Sequence, residues 1–449
     1  MAERVTVGQI VDAAPARVLV TRDQQGKVAD ARFDLSGLPR VEALLVGRPV
    51  AEVPALVERL CSICPVAHHL AGVRALESLY GFGPIPESAD LIRRLLHYAS
   101  VLSIHAQAMI WQDRQAALTL RGLAKAAMVT AGSPLHFPHT AVLGGVHALA
   151  EPEHRRAALA LVDEATSTAT RVAAEALHAA QAHGGGHGAL TDAFTGANVA
   201  LTDTSGTVDL FGTHLTAVSD DGLKVIDGAT VDQWDELIAE AHPGSSAPRP
   251  YLVACGSDTG SYRVGPIAQL RAGQLPTPEA AAVQDAWRSR RTEGSAPAAR
   301  AIMALHCVEV VAEILQDPRI LIGTAVDPSQ GLAGHARMTG PGDSAVLSGS
   351  EAHSVGVGWV DGARGLLVHR YDADTAGQVL SATILTPTAQ NERWLGDMLQ
   401  TVVDQATPAE VGSRVEQAIH DADPCLPCSS APAGAMNVIV DDSVTTESE

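Results

Sequence analysis

Glu58-Arg59-Leu60-Cys61-Ser62-Ile63-Cys64-Pro65-Val66-Ala67-His68-His69 sets two cysteines three positions apart, just ahead of a proline and two histidines. A second such pair stands near the other end of the chain, in Asp423-Pro424-Cys425-Leu426-Pro427-Cys428-Ser429-Ser430. Together they hold four of the six cysteines. Each CxxC can present two sulfurs to one ion, so thiols pooled in this way point to metal binding before disulfides. The fold then has to bring the two ends of the chain together around a buried metal centre, within one large domain.

The rest of the composition narrows the partners. Of the 449 residues, 46% are hydrophobic but only 3% aromatic, so alanine, valine and leucine must fill a sizeable core. The formal charge, 31 − 51 = −20, argues against nucleic acid or an anionic membrane as the main partner, since both need a basic face. No run of eighteen apolar residues occurs, and the first residues lack the basic-then-apolar layout of a secretory signal, so no membrane insertion is expected. A reducing cytoplasm fits, and it would keep the thiols available.

Hydrophobic periodicity places the motifs. Residues 4–35 read as short strands, and a helical pattern runs from near Val53 through the first cysteine pair towards Tyr80. Leu91 to Ala127 reads as one long helical region. An alanine-rich helix over 152–182 stops at His183-Gly184-Gly185-Gly186. Strands and turns are expected over 196–275, and a helix over 278–316. Gly358-Trp359-Val360 and Gly365-Leu366-Leu367-Val368-His369 read as paired strands. A last helix, 389–420, delivers the chain to the second cysteine pair, and the polar end DDSVTTESE reads as a loose tail. His183 and His187 flank a glycine run that reads as a helix-ending loop, and no catalytic role is assigned to His136 or His139.

Four thiolates with no obligatory histidine suit a closed tetrahedral zinc site. They also suit nickel, soft copper and iron–sulfur clusters. The neighbours shift the balance. An arginine ahead of one pair, a histidine four residues past its second cysteine and an Asp-Pro ahead of the other exceed what a zinc knuckle needs.

RLCSICPVAHHLAG resembles the RxCGxCPxxH motif of nickel–iron hydrogenase large subunits, and DPCLPC resembles their C-terminal DPCxxC. Further similarity covers most of the chain. Arg40-Val41-Glu42-Ala43-Leu44-Leu45-Val46-Gly47-Arg48 resembles the family segment that supplies a carboxylate for a second metal. Ser261-Tyr262-Arg263-Val264-Gly265-Pro266 resembles another family block. Gly362-Ala363-Arg364-Gly365 and Thr386-Pro387-Thr388-Ala389-Gln390-Asn391 resemble the APRG and PTTxN elements. Order and spacing are similar to the cytoplasmic branch linked to NAD(P) or other soluble cofactors.

The resemblance implies an α+β fold, a large single domain of long central helices with peripheral β-strands over residues 1–431. The tail 432–449 is either removed by a maturation protease, after an unusual residue, or never cleaved. It implies Cys61 and Cys425 as terminal nickel ligands, and Cys64 and Cys428 as bridges from nickel to iron. Iron would carry CO and cyanide, which require dedicated maturation proteins. Arg364 would donate to a cyanide, with Thr388 assisting from the other side. His68 would donate to a cysteine sulfur, and Glu42 would bind magnesium. The implied reaction is H2 ⇌ 2 H+ + 2 e−. Cys255 and Cys307 are each isolated, so the implied partners are electron-acceptor subunits and an iron–sulfur small subunit.

Several positions depart from the family pattern. Ala13 stands where a proton-relaying glutamate is usual, Ser62 replaces glycine, Ala363 replaces proline and Ala389 replaces threonine. Ala431 stands where the family has a basic residue that binds magnesium and marks the cleavage point. A divergent relative of low activity, or an H2 sensor, is therefore a second reading. A structural zinc protein is a third. A quinone-reductase-type subunit of the respiratory complex shares the fold but lacks the four cysteines, and ranks low.

Overall fold

The protein is described by a computed structural model covering residues 16–34, 41–59, 61–134, 136–182, 194–245, 248–289, 295–326, 353–426, 429, 431–432 and 434–445. Ala13, the His183–His187 segment and Cys428 lie outside these residues.

Helices form the centre. The helix Ala296–Gln316 is buried on nearly every face, as expected for Ala, Ile, Met, Leu and Val all round. It packs against the helices Glu87–Ala108 and Val162–Ala182, and Arg114–Thr130 lies against both of these. The expected helix over Leu91–Ala127 is two helices. Asp113 caps the second, its carboxylate accepting from the Ala116 N–H at 2.9 Å, and this local bond ends the continuous ladder. The region 278–316 likewise divides into Pro278–Ser289 and Ala296–Gln316, the second started by Ser295 as N-cap with a proline in its first turn. The span 389–420 becomes Glu392–Gln405 and Val411–Ala422, separated at Thr407-Pro408, where Thr407 bonds to Glu410.

Among the described residues, three sheets of three or four strands, beside two two-stranded ladders, accompany the helices. A four-stranded sheet covers Ala197–Thr202, His214–Val218, Lys224–Thr230 and Tyr262–Arg263, within the expected strand region. His353–Gly362, Gly365–Asp374 and Val379–Leu385 form an antiparallel meander. The helix Pro65–Leu79 lies across its first two strands, which fixes the first cysteine pair against the meander.

The third sheet corrects one expectation. The tail is not loose over Val438–Thr445: it is a strand, paired parallel to Ala16–Arg22, which in turn pairs antiparallel to Val28–Phe33. Alternation places Ala16, Val18 and Val20 inside. Arg22 and Asp442 form an ion pair across the ladder, with Nε to Oδ1 at 2.8 Å. The two chain ends thus meet in one sheet, which sits on the helix Glu392–Gln405.

Candidate metal centre

The first cysteine pair is positioned by a helix start. Pro65 opens the helix Pro65–Leu79, where its missing N–H costs nothing, and Cys64 is the N-cap. Both sulfurs therefore lie at the positive end of a helix, which favours thiolate. Cys61 Sγ accepts from the Cys64 N–H at 3.3 Å.

The second pair is positioned by a helix end. Val411–Ala422 stops at Asp423, which takes a left-handed conformation (φ 48°, ψ 55°) that Asp tolerates better than most residues. Pro424 blocks further helix. The chain turns sharply and puts Cys425 beside Cys61, Sγ to Sγ 3.7 Å, while Cys64 Sγ lies 2.8 Å from Cys61 Sγ. Two sulfurs on a common metal at ~2.3 Å and a tetrahedral angle stand about 3.8 Å apart. The Cys61–Cys425 separation suits that arrangement, and a soft, anionic donor set suits nickel, iron or zinc. Among the described residues, Cys61, Cys64 and His68 are the group of metal-binding type, their ligand atoms all within 4.8 Å of one another.

Hydrogen bonds from Cys425 and Cys64 push the Cys61 thiol far down, contacts with Cys425 and Cys61 push Cys64 up, and the contact with Cys61 pushes Cys425 up to about 11. A bound metal ion would take these sulfurs as thiolates.

Arg364 is the cation beside these sulfurs. Gly362 pairs with Gly365, so Ala363 and Arg364 are the two tip residues of a tight hairpin. Gly365 has φ +122°, and a Cβ there would lie 2.4 Å from Val264 Cγ2. The hairpin tip can therefore rest directly on the Tyr262–Pro266 segment. Arg364 Nη2 donates to Asp423 Oδ1 at 2.8 Å and Nε donates to the Asp423 carbonyl at 2.9 Å, leaving Nη1 3.9 Å from Cys425 Sγ. Burial lowers its pKa, but the charges of Asp423 and Cys425 more than offset this, and Arg364 stays charged.

Thr388 is buried, and its Oγ1 accepts from the Cys425 N–H at 2.8 Å. It therefore fixes the backbone of the second cysteine pair. Glu42 is half-buried in the single turn Glu42–Leu44, packed beside Val379–Leu385. Ala431 is buried. Beside the sulfurs lies a cavity of about 40 Å³ with apolar walls from Ala67, Val101, Ile104 and Leu367, reaching Cys64, Cys425, His97 and Arg364.

A family model described as nickel-dependent hydrogenase matches residues 40–113, which hold Glu42, the first cysteine pair and His68. The beta subunit of the NAD-reducing hydrogenase HoxS of Cupriavidus necator is 27% identical over 479 residues, spanning 94% of this chain and 93% of that protein. A solved NAD+-reducing nickel–iron hydrogenase in the H2-reduced state superposes with a TM-score of 0.77 at 27% identity, covering 91% of this chain and 95% of that one. The chain is similar to nickel-dependent hydrogenases along nearly its whole length. A further relative comes from the vhu F420-non-reducing hydrogenase of Methanococcus voltae, 26% identical over 84% of this chain and 92% of its own. A NiFeSe hydrogenase variant from Desulfovibrio vulgaris Hildenborough shares the fold, with a TM-score of 0.64 at 16% identity.

Beyond the expected residues, the chain surrounds the centre with polar groups that the motifs did not single out. His68 Nδ1 lies 3.0 Å from His369 Nε2, and His369 Nδ1 lies 2.6 Å from the Tyr371 hydroxyl. Glu58 is fully buried, 3.3 Å from His69 Nδ1, and His69 Nε2 accepts from the Ala141 N–H at 3.2 Å. Asp361 is fully buried and accepts from Gln269 Nε2 at 2.6 Å and the Leu201 N–H at 3.1 Å. A buried strand carrying His and Tyr two positions apart, 369 and 371, was the available signal for the first group.

Proposed function

We propose that this chain oxidises H2 reversibly to protons and electrons at a buried nickel–iron centre held by Cys61, Cys64, Cys425 and Cys428. The single observation that carries the reading is the 3.7 Å approach of Cys61 and Cys425, 364 positions apart, beside a charged Arg364. When bound, the metal pair supplies Lewis acidity and redox capacity. The chain supplies the rest. Cys64 and Cys428 would hold the metals together with Cys61 and Cys425. Cys61 or Cys425 is the base placed to hold the proton at Sγ. Arg364 would donate to a cyanide on the iron; CO and cyanide lie beyond what side chains provide, and maturation proteins would install them. The apolar cavity admits a small neutral gas and disfavours water. Glu42 is the proposed magnesium ligand.

Among the described residues, the cysteines outside the centre are isolated: Cys255 is half-buried, and Cys307 is buried with its thiol pushed up by desolvation. Electrons therefore leave through an iron–sulfur small subunit to acceptor subunits in the cytoplasm. No described helix is long and apolar enough to cross a membrane. The strand Val438–Thr445 supports a further proposal, that the tail stays in the mature protein. A retained tail, with Ala13 and Ala431 in place of the usual groups, favours slow turnover or sensing as the second reading.

The test is H2-dependent dye reduction by the purified complex, with metal analysis. About one nickel and one non-cluster iron per chain are expected. One zinc, no nickel and no H2-dependent reduction would reject the proposal.

A further inference from the structure

We infer that His369 and Tyr371 are positioning residues that lock His68 into the tautomer whose Nε2 carries the hydrogen, so that His68 donates to a cysteine sulfur and is not itself a metal ligand. The inference rests on the nickel–iron reading of the centre and adds to it the device that sets the polarity of the hydrogen bond.

His369 and Tyr371 project from the same face of the strand Gly365–Asp374, and His68 faces them from the first turn of the helix Pro65–Leu79. His369 and Tyr371 are fully buried, and His68 is nearly so. The bonds run in series: Tyr371 Oη to His369 Nδ1 at 2.6 Å, then His369 Nε2 to His68 Nδ1 at 3.0 Å. His68 Nε2 is left for the sulfurs of Cys61 and Cys64, which share its 4.8 Å cluster.

Direction follows from the end of the series. Among the described residues, His369 Nδ1 is the one hydrogen-bond partner of the Tyr371 hydroxyl. Burial holds Tyr371 far above the usual phenol range, so it keeps its proton, and holds His369 far below the usual imidazole range, so it is neutral. If His369 Nδ1–H donated to the phenol oxygen, the phenol hydrogen would be buried with no acceptor, which costs about 1–3 kcal/mol. Tyr371 O–H therefore donates to His369 Nδ1. His369, with its hydrogen on Nε2, donates to His68 Nδ1. His68 then accepts at Nδ1 and carries its hydrogen on Nε2. The opposite polarity would turn a lone pair of His68 towards the metal site. Gly72 leaves room for this arrangement: a Cβ there would stand 3.2 Å from the Tyr371 hydroxyl.

The test uses the infrared bands of iron-bound CO and cyanide in the purified complex. A donated hydrogen bond draws charge from the sulfur. In Tyr371→Phe the polarity is no longer set, and the CO band is expected to move to lower wavenumber or split into two populations. Gly72→Ala, which keeps the phenol but displaces its hydroxyl, should move the band in the same direction by less, and it carries the test if Tyr371→Phe does not accumulate. Bands in both variants identical to the wild type would overturn the inference. A wild-type complex without CO and cyanide bands would instead reject the nickel–iron reading on which it rests.

Discussion

Asp423 does two jobs with one side chain, and its substitutions separate them. Its left-handed backbone ends the last helix, and its carboxylate is the partner of Arg364, the two side chains being 10% and 11% exposed. Removing one member of a buried pair costs about 3–5 kcal/mol. Asp423→Ala should lose close to that, read as a lowered Tm, with loss of nickel. Asp423→Asn keeps the turn and removes the charge, so it should fold better than the alanine variant yet leave Arg364 mispositioned. At Thr388 the prediction is narrower. Thr388→Val buries the Cys425 N–H without an acceptor and should cost about 1–3 kcal/mol, while Thr388→Ser should restore most of it. Asp361 sets a pH dependence. Burial, only partly opposed by Gln269 and Leu201, raises its pKa to about 7 from 3.8. The folded state then holds a proton that the unfolded chain has released, so this carboxyl's contribution to stability falls as pH rises from about 4 to 7 and levels off above. Denaturant titrations should show that slope, and Asp361→Asn should flatten it whatever it does to absolute stability.

At the scale of elements, the strand Val438–Thr445 is the least expected part of the fold. Its sequence, VIVDDSVT, alternates weakly and is followed by polar residues, so nothing local separates a strand from a tail. Its structure comes from a neighbour that is distant in sequence: Ala16–Arg22 offers an unpaired edge, and the ladder plus Arg22–Asp442 settles the register. The helix breaks were hard to read for the reverse reason. Asp113, Ser295 and Thr407 act through short side-chain bonds that leave the apolar periodicity on either side intact. If the strand belongs to the mature protein, intact mass should return the full 46.6 kDa chain. Truncation after Ala431 should bare the Ala16–Arg22 edge, lower Tm and promote aggregation. A purified chain ending at Ala431 with unchanged Tm would contradict this.

The whole molecule explains why part of the site was legible and part was not. Cys61, Cys64, Arg364 and Cys425 stand in short motifs because each motif is also a local turn: a helix start with proline, a glycine-flanked hairpin tip, a left-handed helix end. Chemistry and backbone geometry constrain the same few residues there. His369, Tyr371 and Glu58 enter through packing of the Pro65–Leu79 helix on its neighbours, and no pattern along the chain encodes that juxtaposition. The central claim is that sulfur from both ends of the chain serves one metal centre. Nickel-edge X-ray absorption of the purified complex tests it most directly. A sulfur-dominated nickel sphere that loses a sulfur donor in Cys61→Ser and equally in Cys425→Ser is predicted. A nickel sphere unchanged by Cys425→Ser would contradict it.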